Sequence, residues 1–218
     1  MKDLNEAYSL LENAIPNVPR ETTQRLLRYT DLVMDWNAKT NLTGAKTPQE
    51  FVAHIIDCVG ASLVVKQSQL WMDVGTGSGL PGIIWSLLFP EQVFLLAEIS
   101  KKRSAFLYRV CSELGIGNIK ILSQSMESLR QEKFLERKSD SLFLVSRGTF
   151  SPQILLSKAK SSDLPWRRWF IFSNQKIHSE YLTWSPSFEM KVELISYQVP
   201  GRSKKSEHFH ILTCIEKV

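Results

Sequence analysis

Residues 71–82 read Trp71-Met72-Asp73-Val74-Gly75-Thr76-Gly77-Ser78-Gly79-Leu80-Pro81-Gly82, and few chain paths can carry that run. Apolar residues lead into alternating glycines, and a helical period follows from about Leu80 to Leu88. Glycine lets the backbone turn through positive φ and leaves room for a ligand to approach the main chain. A helix beginning just after such a turn offers N–H groups and a positive dipole end to a carboxylate or phosphate. Pro81 suits an early helical position, where no N–H is required. The run therefore predicts a strand, a ligand-binding turn and a helix.

Two ligands fit this pattern. Gly77, Gly79 and Gly82 satisfy GxGxxG, the dinucleotide fingerprint. Asp73 with Gly75, Gly77 and Gly79 instead resembles the DxGxGxG turn of methyltransferases that use S-adenosylmethionine (SAM). Asp73 favours the second, because a carboxylate attracts a methionyl ammonium and repels a pyrophosphate. A tight structural turn is the plain alternative. Glu98 closes the next strand, where an acid can accept both ribose hydroxyls of either nucleotide. Met126 and Glu127 follow the third strand at a place suited to an adenine. Packing and helix N-terminal charge more often explain such a pair. Arg147 ends the fourth strand, beside the expected cleft, and could hold the donor or an RNA backbone; a surface ion pair is its ordinary alternative.

The rest of the chain supplies the scaffold. Two amphipathic helical stripes within residues 1–38 are separated at Pro16 and Pro19, and a third helix is expected over 49–65. Strands are expected at 70–74, 93–98, 119–122, 141–146, 169–172, 190–199 and 208–215. A helix fills 100–114, with Gly115 at its end. Strands alternating with helices predict a mainly parallel α/β sheet with helices on both faces. The domain reading is an α-helical cap over 1–52 and a ligand-binding domain over 53–218.

Composition narrows the partners. Apolar residues are 43% of the 218, enough for a real core, and no apolar run reaches the roughly 18 residues of a membrane span. Residues 1–8 lack the apolar stretch of a secretory signal, so a cytoplasmic protein is expected. Cys58, Cys111 and Cys214 are far apart and unpaired in sequence, which argues against a zinc site or disulfide framework. A net charge of +5 permits a polyanionic partner without requiring one. The basic groups are Lys101-Lys102-Arg103, Arg167-Arg168, and Arg202 with Lys204 and Lys205. The last, in a turn, is the first candidate for RNA contact. Trp36, Trp166 and Trp169 fit core packing better than base stacking.

A wider resemblance now emerges. Trp36-Asn37 with Asn41-Leu42-Thr43, then His54-Ile55-Ile56-Asp57, then 73–82, then Lys102-Arg103 with Phe106-Leu107, then Val145-Ser146-Arg147 follow one another in the order of the RsmG (GidB) family. That family methylates N7 of a guanine in small-subunit rRNA. The resemblance spans most of residues 25–150. It implies a class I, Rossmann-like SAM-dependent methyltransferase with a seven-stranded sheet and an N-terminal helical cap. It places Gly75, Leu80, Met126, Glu127 and Arg147 at donor-binding positions. It makes the substrate a guanine in the decoding-region loop of 16S rRNA, as RNA or as a small ribosomal subunit. No metal, no membrane and a monomeric enzyme are also expected. Four positions depart from the family pattern. Ala53, Ser125 and His208 stand where the family has Arg, and Ser173 lies where it often has a basic residue.

Guanine N7 carries an open lone pair and no proton, so methyl transfer needs alignment more than a base. Arg147 is the one candidate for a catalytic role, steering a phosphate or the donor carboxylate. His54 and Asp57, three apart on one helical face, are expected to join cap and domain rather than to act on substrate. Two alternatives remain at this level. One is an RNA- or ribosome-binding protein on a decayed methyltransferase scaffold, motivated by the lost basic positions. The other is an NAD-dependent oxidoreductase, motivated by GxGxxG alone.

Overall fold

A computed structural model describes residues 2–65, 68–131, 142–162, 164–173, 183, 190–201 and 206–214. Its strands are β1 (Leu70–Val74), β2 (Val93–Ala97), β3 (Ile119–Leu122), β4 (Leu142–Arg147), β5 (Trp166–Ser173), β6 (Met190–Gln198) and β7 (Ser206–Cys214). Its helices are α1 (Lys2–Ala14), α2 (Arg20–Asn37), α3 (Pro48–Ser62), α4 (Gly82–Leu88), α5 (Lys101–Glu113) and α6 (Pro152–Ser161), with a 3-10 turn at Met126–Gln131.

The strands form one sheet in the order β3-β2-β1-β4-β5-β7-β6. Strands β1 to β5 run parallel, β7 is antiparallel to β5, and β6 is antiparallel to β7. All five residues of β1 are buried, as a parallel strand covered on both faces requires. Alternation along β1 feeds two cores. Trp71 joins Phe94, Val145 and Phe170 under helices α1 to α5. Leu70, Met72 and Val74 join Leu144, Leu155, Trp166 and Trp169 under α6 and the 3-10 turn. Trp166 and Trp169 are therefore core residues.

Polar links tie helices α2 and α3 to the elements around the sheet. The Trp85 indole N–H of α4 donates to the Cys58 carbonyl of α3 at 2.9 Å. The Tyr29 hydroxyl of α2 donates to the Ser78 carbonyl at 2.6 Å. The Arg25 guanidinium of α2 donates to the Leu114 carbonyl at the end of α5, at 2.6 and 2.9 Å. The cap boundary expected at 52/53 falls inside α3, whose side chains Phe51, Val52, Ile55 and Ile56 share one core with the sheet.

Several expected bounds shift. Helix α4 begins at Gly82 rather than Leu80, because 76–81 are spent in the turn. Strand β5 begins at Trp166, so Arg167 and Arg168 belong to its N-terminal end, opposite β4's first residues and away from the strands' carboxyl ends. The neighbour order reverses between β1 and β4. That opens a crevice at their carboxyl ends, the usual ligand position in such sheets.

Candidate active site

The glycine turn is held from inside. Gly75 and Thr76 both donate main-chain N–H groups to the Ala97 carbonyl of β2, at 2.9 and 3.2 Å. Asp73 is 1% exposed, and its Oδ2 accepts from the Thr76 hydroxyl at 2.7 Å and the Gly82 N–H at 2.9 Å. Its Oδ1 is buried with no hydrogen-bond partner among the described residues. Burial pushes this carboxyl up to about 7, against the two hydrogen bonds that favour its ionised form. Asp73 was expected beside a donor ammonium; the structure instead encloses it beneath the turn, where it fixes the backbone of the turn. The same bond corrects a second expectation: α4 is seven residues long and its first N–H is already capped by Asp73, so it offers no open anion seat.

The glycines have different tasks. A Cβ on Gly75 (φ +70°) would collide with the Thr149 side chain, and one on Gly79 would collide with Ile83. A Cβ on Gly77 (φ +60°) would meet only the Gly75 carbonyl, at 3.9 Å, and would project into open space. Gly77 thus leaves its face of the turn open.

Glu98 lies 4% exposed at the end of β2. Its Oε2 accepts from the Gly77 N–H at 3.0 Å and its Oε1 from the Ser100 N–H at 2.9 Å, which points the carboxylate at the turn. Each oxygen keeps a further lone pair. Arg103 approaches Glu98 at 3.8 Å.

Two hollows meet here. The first, about 360 Å³, is walled by the glycine turn, Leu80, Arg147, His54 and the 42–44 loop. The second, about 300 Å³ and more apolar, is walled by Ala97, Glu98, Ile99, Met126, Phe150 and Lys158. Gly75, Arg103 and Thr149 border both. The sequence-predicted Gly75, Gly77, Leu80, Glu98, Met126 and Arg147 are therefore gathered around one cleft, while Gly79 packs behind it. The side chains of Glu127, Ser173 and His208 lie outside the described residues, as do Arg202, Lys204 and Lys205 entirely. Ser173 and His208 are register partners across β5 and β7. Ser125 borders the second hollow.

Sequence reasoning missed how Arg147 is held. Its Nε and Nη2 donate to Asp57 Oδ2 at 3.3 and 3.0 Å, and Nη2 lies 2.9 Å from His54 Nδ1. His54 and Asp57 thus tie α3 to β4 through the arginine of the site itself. The WN…NLT segment also gains a physical role. The Asn37 side chain accepts from the Leu42 and Thr43 N–H groups at 2.8 and 3.0 Å and donates to the Ala45 carbonyl at 3.0 Å, folding 42–44 over the cleft.

A third hollow, about 350 Å³, adjoins the cleft across Leu42 and Arg103. Lys39, Thr40, Asn41, Ser100 and Lys102 complete its wall, with no carboxylate among them. Among the described residues, no group of three or more His, Cys, Asp or Glu is placed to hold a metal ion, and no helix is long and apolar enough to cross a membrane.

Comparison with known proteins adds the family. "Ribosomal RNA small subunit methyltransferase G" of Wolinella succinogenes is 36% identical over 157 residues, 72% of this chain and 78% of that protein. The protein of the same name from Nitrosomonas europaea is 31% identical over 199 residues, 88% of this chain and 89% of that one. Among solved structures, M. capricolum TrmK in complex with S-adenosyl-homocysteine superposes with a TM-score of 0.53 at 16% identity, over 72% of this chain and 67% of that one. That likeness supports the class I, Rossmann-like methyltransferase fold. The family model for GidB, rRNA small subunit methyltransferase G, matches residues 22–209, and the chain belongs to that family.

Proposed function

We propose that this chain transfers a methyl group from SAM to N7 of a guanine in the decoding-region loop of 16S rRNA. The single observation that carries the reading is the two-lobed cleft at the β1/β4 reversal, bordered by Gly77, Glu98 and Arg147. Its residues fit SAM. Gly77 leaves the turn open, Glu98 keeps lone pairs for ribose hydroxyls, Met126 and Ile99 offer apolar surface to an adenine, and Arg147 offers a cation to the methionyl carboxylate. When bound, SAM supplies an activated methyl on a sulfonium. The chain's own work is to hold the reactants in line and exclude water, which can lower a barrier by about 7–11 kcal/mol. No base is needed, because guanine N7 has no proton to lose. The basic third hollow, with Lys39 and Lys102, suits the RNA phosphates beside the target base. The reading implies a cytoplasmic enzyme acting as a monomer on 16S rRNA or the small subunit.

The test is to map that guanine in 16S rRNA from cells with and without the protein. N7 methylation present only with the protein is expected. Unchanged methylation refutes the reading, and SAM binding without transfer to any RNA would favour a decayed scaffold that only binds RNA.

A further inference from the structure

Arg147 borders the cleft but is anchored from behind by three side chains on two elements. Asp57 of α3 receives its Nε and Nη2, His54 of α3 lies against Nη2, and Phe172 of β5 lies under its guanidinium carbon, 5.7 Å from the ring centroid. Asp57 is itself shared. Its second oxygen, Oδ1, accepts from the Tyr197 hydroxyl of β6 at 2.6 Å. Tyr197 is 4% exposed and meets Phe172 edge-on with ring centroids 6.3 Å apart. Nη1 of Arg147 has no hydrogen-bond partner among the described residues.

This arrangement is more than an ion pair. A carboxylate with only one oxygen engaged can rotate about its terminal torsion, which is broad and two-fold. With Tyr197 on Oδ1, the rotation is stopped, and Oδ2 is left facing Arg147. The guanidinium has a rigid planar fork, so fixing one edge also fixes the other. A flexible arginine would lose its rotamer freedom only when ligand arrives, and that loss weakens binding. One already aimed does not.

We propose that Tyr197 and Asp57 are positioning residues that aim Arg147 at an anionic group of the ligand in the first hollow. This rests on the methyltransferase reading for the identity of that ligand. The anion is either the donor's carboxylate or an RNA phosphate, and kinetics tell the two apart. The consequence is that the antiparallel β6–β7 pair, outside the parallel nucleotide-binding core, takes part in ligand binding through one phenolic hydroxyl.

The experiment is a double-mutant cycle in the full chain. Tyr197→Phe removes one hydroxyl and keeps the buried ring, and Arg147→Lys keeps a charge while losing the fork, so both variants are expected to fold. Binding of S-adenosyl-homocysteine is followed by calorimetry, and methyl transfer to unmethylated small subunits is followed with SAM and RNA varied separately. Tyr197→Phe is expected to weaken one substrate about three- to tenfold, through KM rather than kcat, with only a small fall in the thermal midpoint that leaves the protein folded. A rise in KM for SAM identifies the carboxylate as the anion; a rise in KM for the subunit identifies phosphate. In the Arg147→Lys background the Tyr197→Phe effect should vanish, because the two act as one unit. Equal effects in both backgrounds, or no effect of Tyr197→Phe in the otherwise native chain, overturn the proposal. If the native chain binds S-adenosyl-homocysteine but transfers no methyl, the proposed reaction fails; the same cycle on binding of S-adenosyl-homocysteine and of small subunits then decides the positioning role, and absence of coupling in both overturns it.

Discussion

The two walls of the cleft are built in opposite ways. In the glycine-turn wall, Asp73, Thr76 and Gly82 satisfy one another within nine positions of sequence. In the facing wall, Arg147 meets Asp57 across 90 positions, and Asp57 meets Tyr197 across 140. The first wall shapes backbone and the second aims side chains. A change in the first should therefore close or distort the cleft, whereas a change in the second should leave a sound cleft that holds its ligand poorly.

The largest expected effects lie in the turn and sharpen this contrast. Gly75→Val combines a left-handed backbone with a collision against Thr149, so both the fold and SAM binding should suffer. Gly77→Val carries the same backbone strain, roughly 1–2 kcal/mol, but its side chain enters open space. The protein should still fold while SAM affinity falls about a hundredfold, equivalent to roughly 2.7 kcal/mol. Calorimetry beside thermal melts checks both. Native SAM affinity in Gly77→Val would mean that this wall does not face the donor.

Next comes the aimed wall. Arg147→Ala should lower kcat/KM by about 10- to 100-fold, the range for a hydrogen bond to a charged group at roughly 1.5–3 kcal/mol. Steady-state methyl transfer measures it. An unaltered rate would make Arg147 a structural ion pair with Asp57 and nothing more.

A smaller effect is expected in the basic hollow. The pair Lys39→Ala and Lys102→Ala should reduce the slope of log affinity for rRNA against log salt by about 1.4–1.8 if each lysine meets one phosphate. SAM affinity should not change. Filter binding over a salt series decides this, and an unchanged slope removes the hollow from the RNA interface.

The smallest effect concerns Asp73. Its carboxyl titrates near 3.8 when unfolded and at about 7 in the fold. Between those values the folded chain binds the extra proton, so the stability contributed is full below the lower value and is lost as pH rises through the upper. Asp73→Asn should therefore gain about 1 kcal/mol relative to the native chain between pH 6 and pH 8. Urea denaturation at the two pH values reads it. A pH-independent difference would mean that Asp73 stays ionised beneath the turn.

The same contrast explains what could be read from sequence. The glycine turn, the acid that closes β2 and the alternation of strands with helices leave local marks, because they depend on backbone sterics and on hydrophobic periods. All were legible, as were His54 and Asp57 as a pair on one helical face. The task of Asp73 was misread because its partners, the Thr76 hydroxyl and the Gly82 amide, become visible only once the turn closes. Tyr197 carried no signal: in an alternating strand it looks like any other inward aromatic, and only the sheet order brings β6 within reach of α3. Asn37 sat in a quoted motif, yet its function as the brace of 42–44 needed the coordinates of the loop it holds.

The most direct measurement is methyl transfer by the purified chain, with labelled SAM and small ribosomal subunits that lack the modification, followed by mapping of the product. The proposed function predicts one labelled N7-methylguanine in the decoding-region loop of 16S rRNA, and about a hundredfold less of it at low SAM when Gly77 is replaced by valine. Label at any other base, or no label while subunits and SAM both bind, would contradict it.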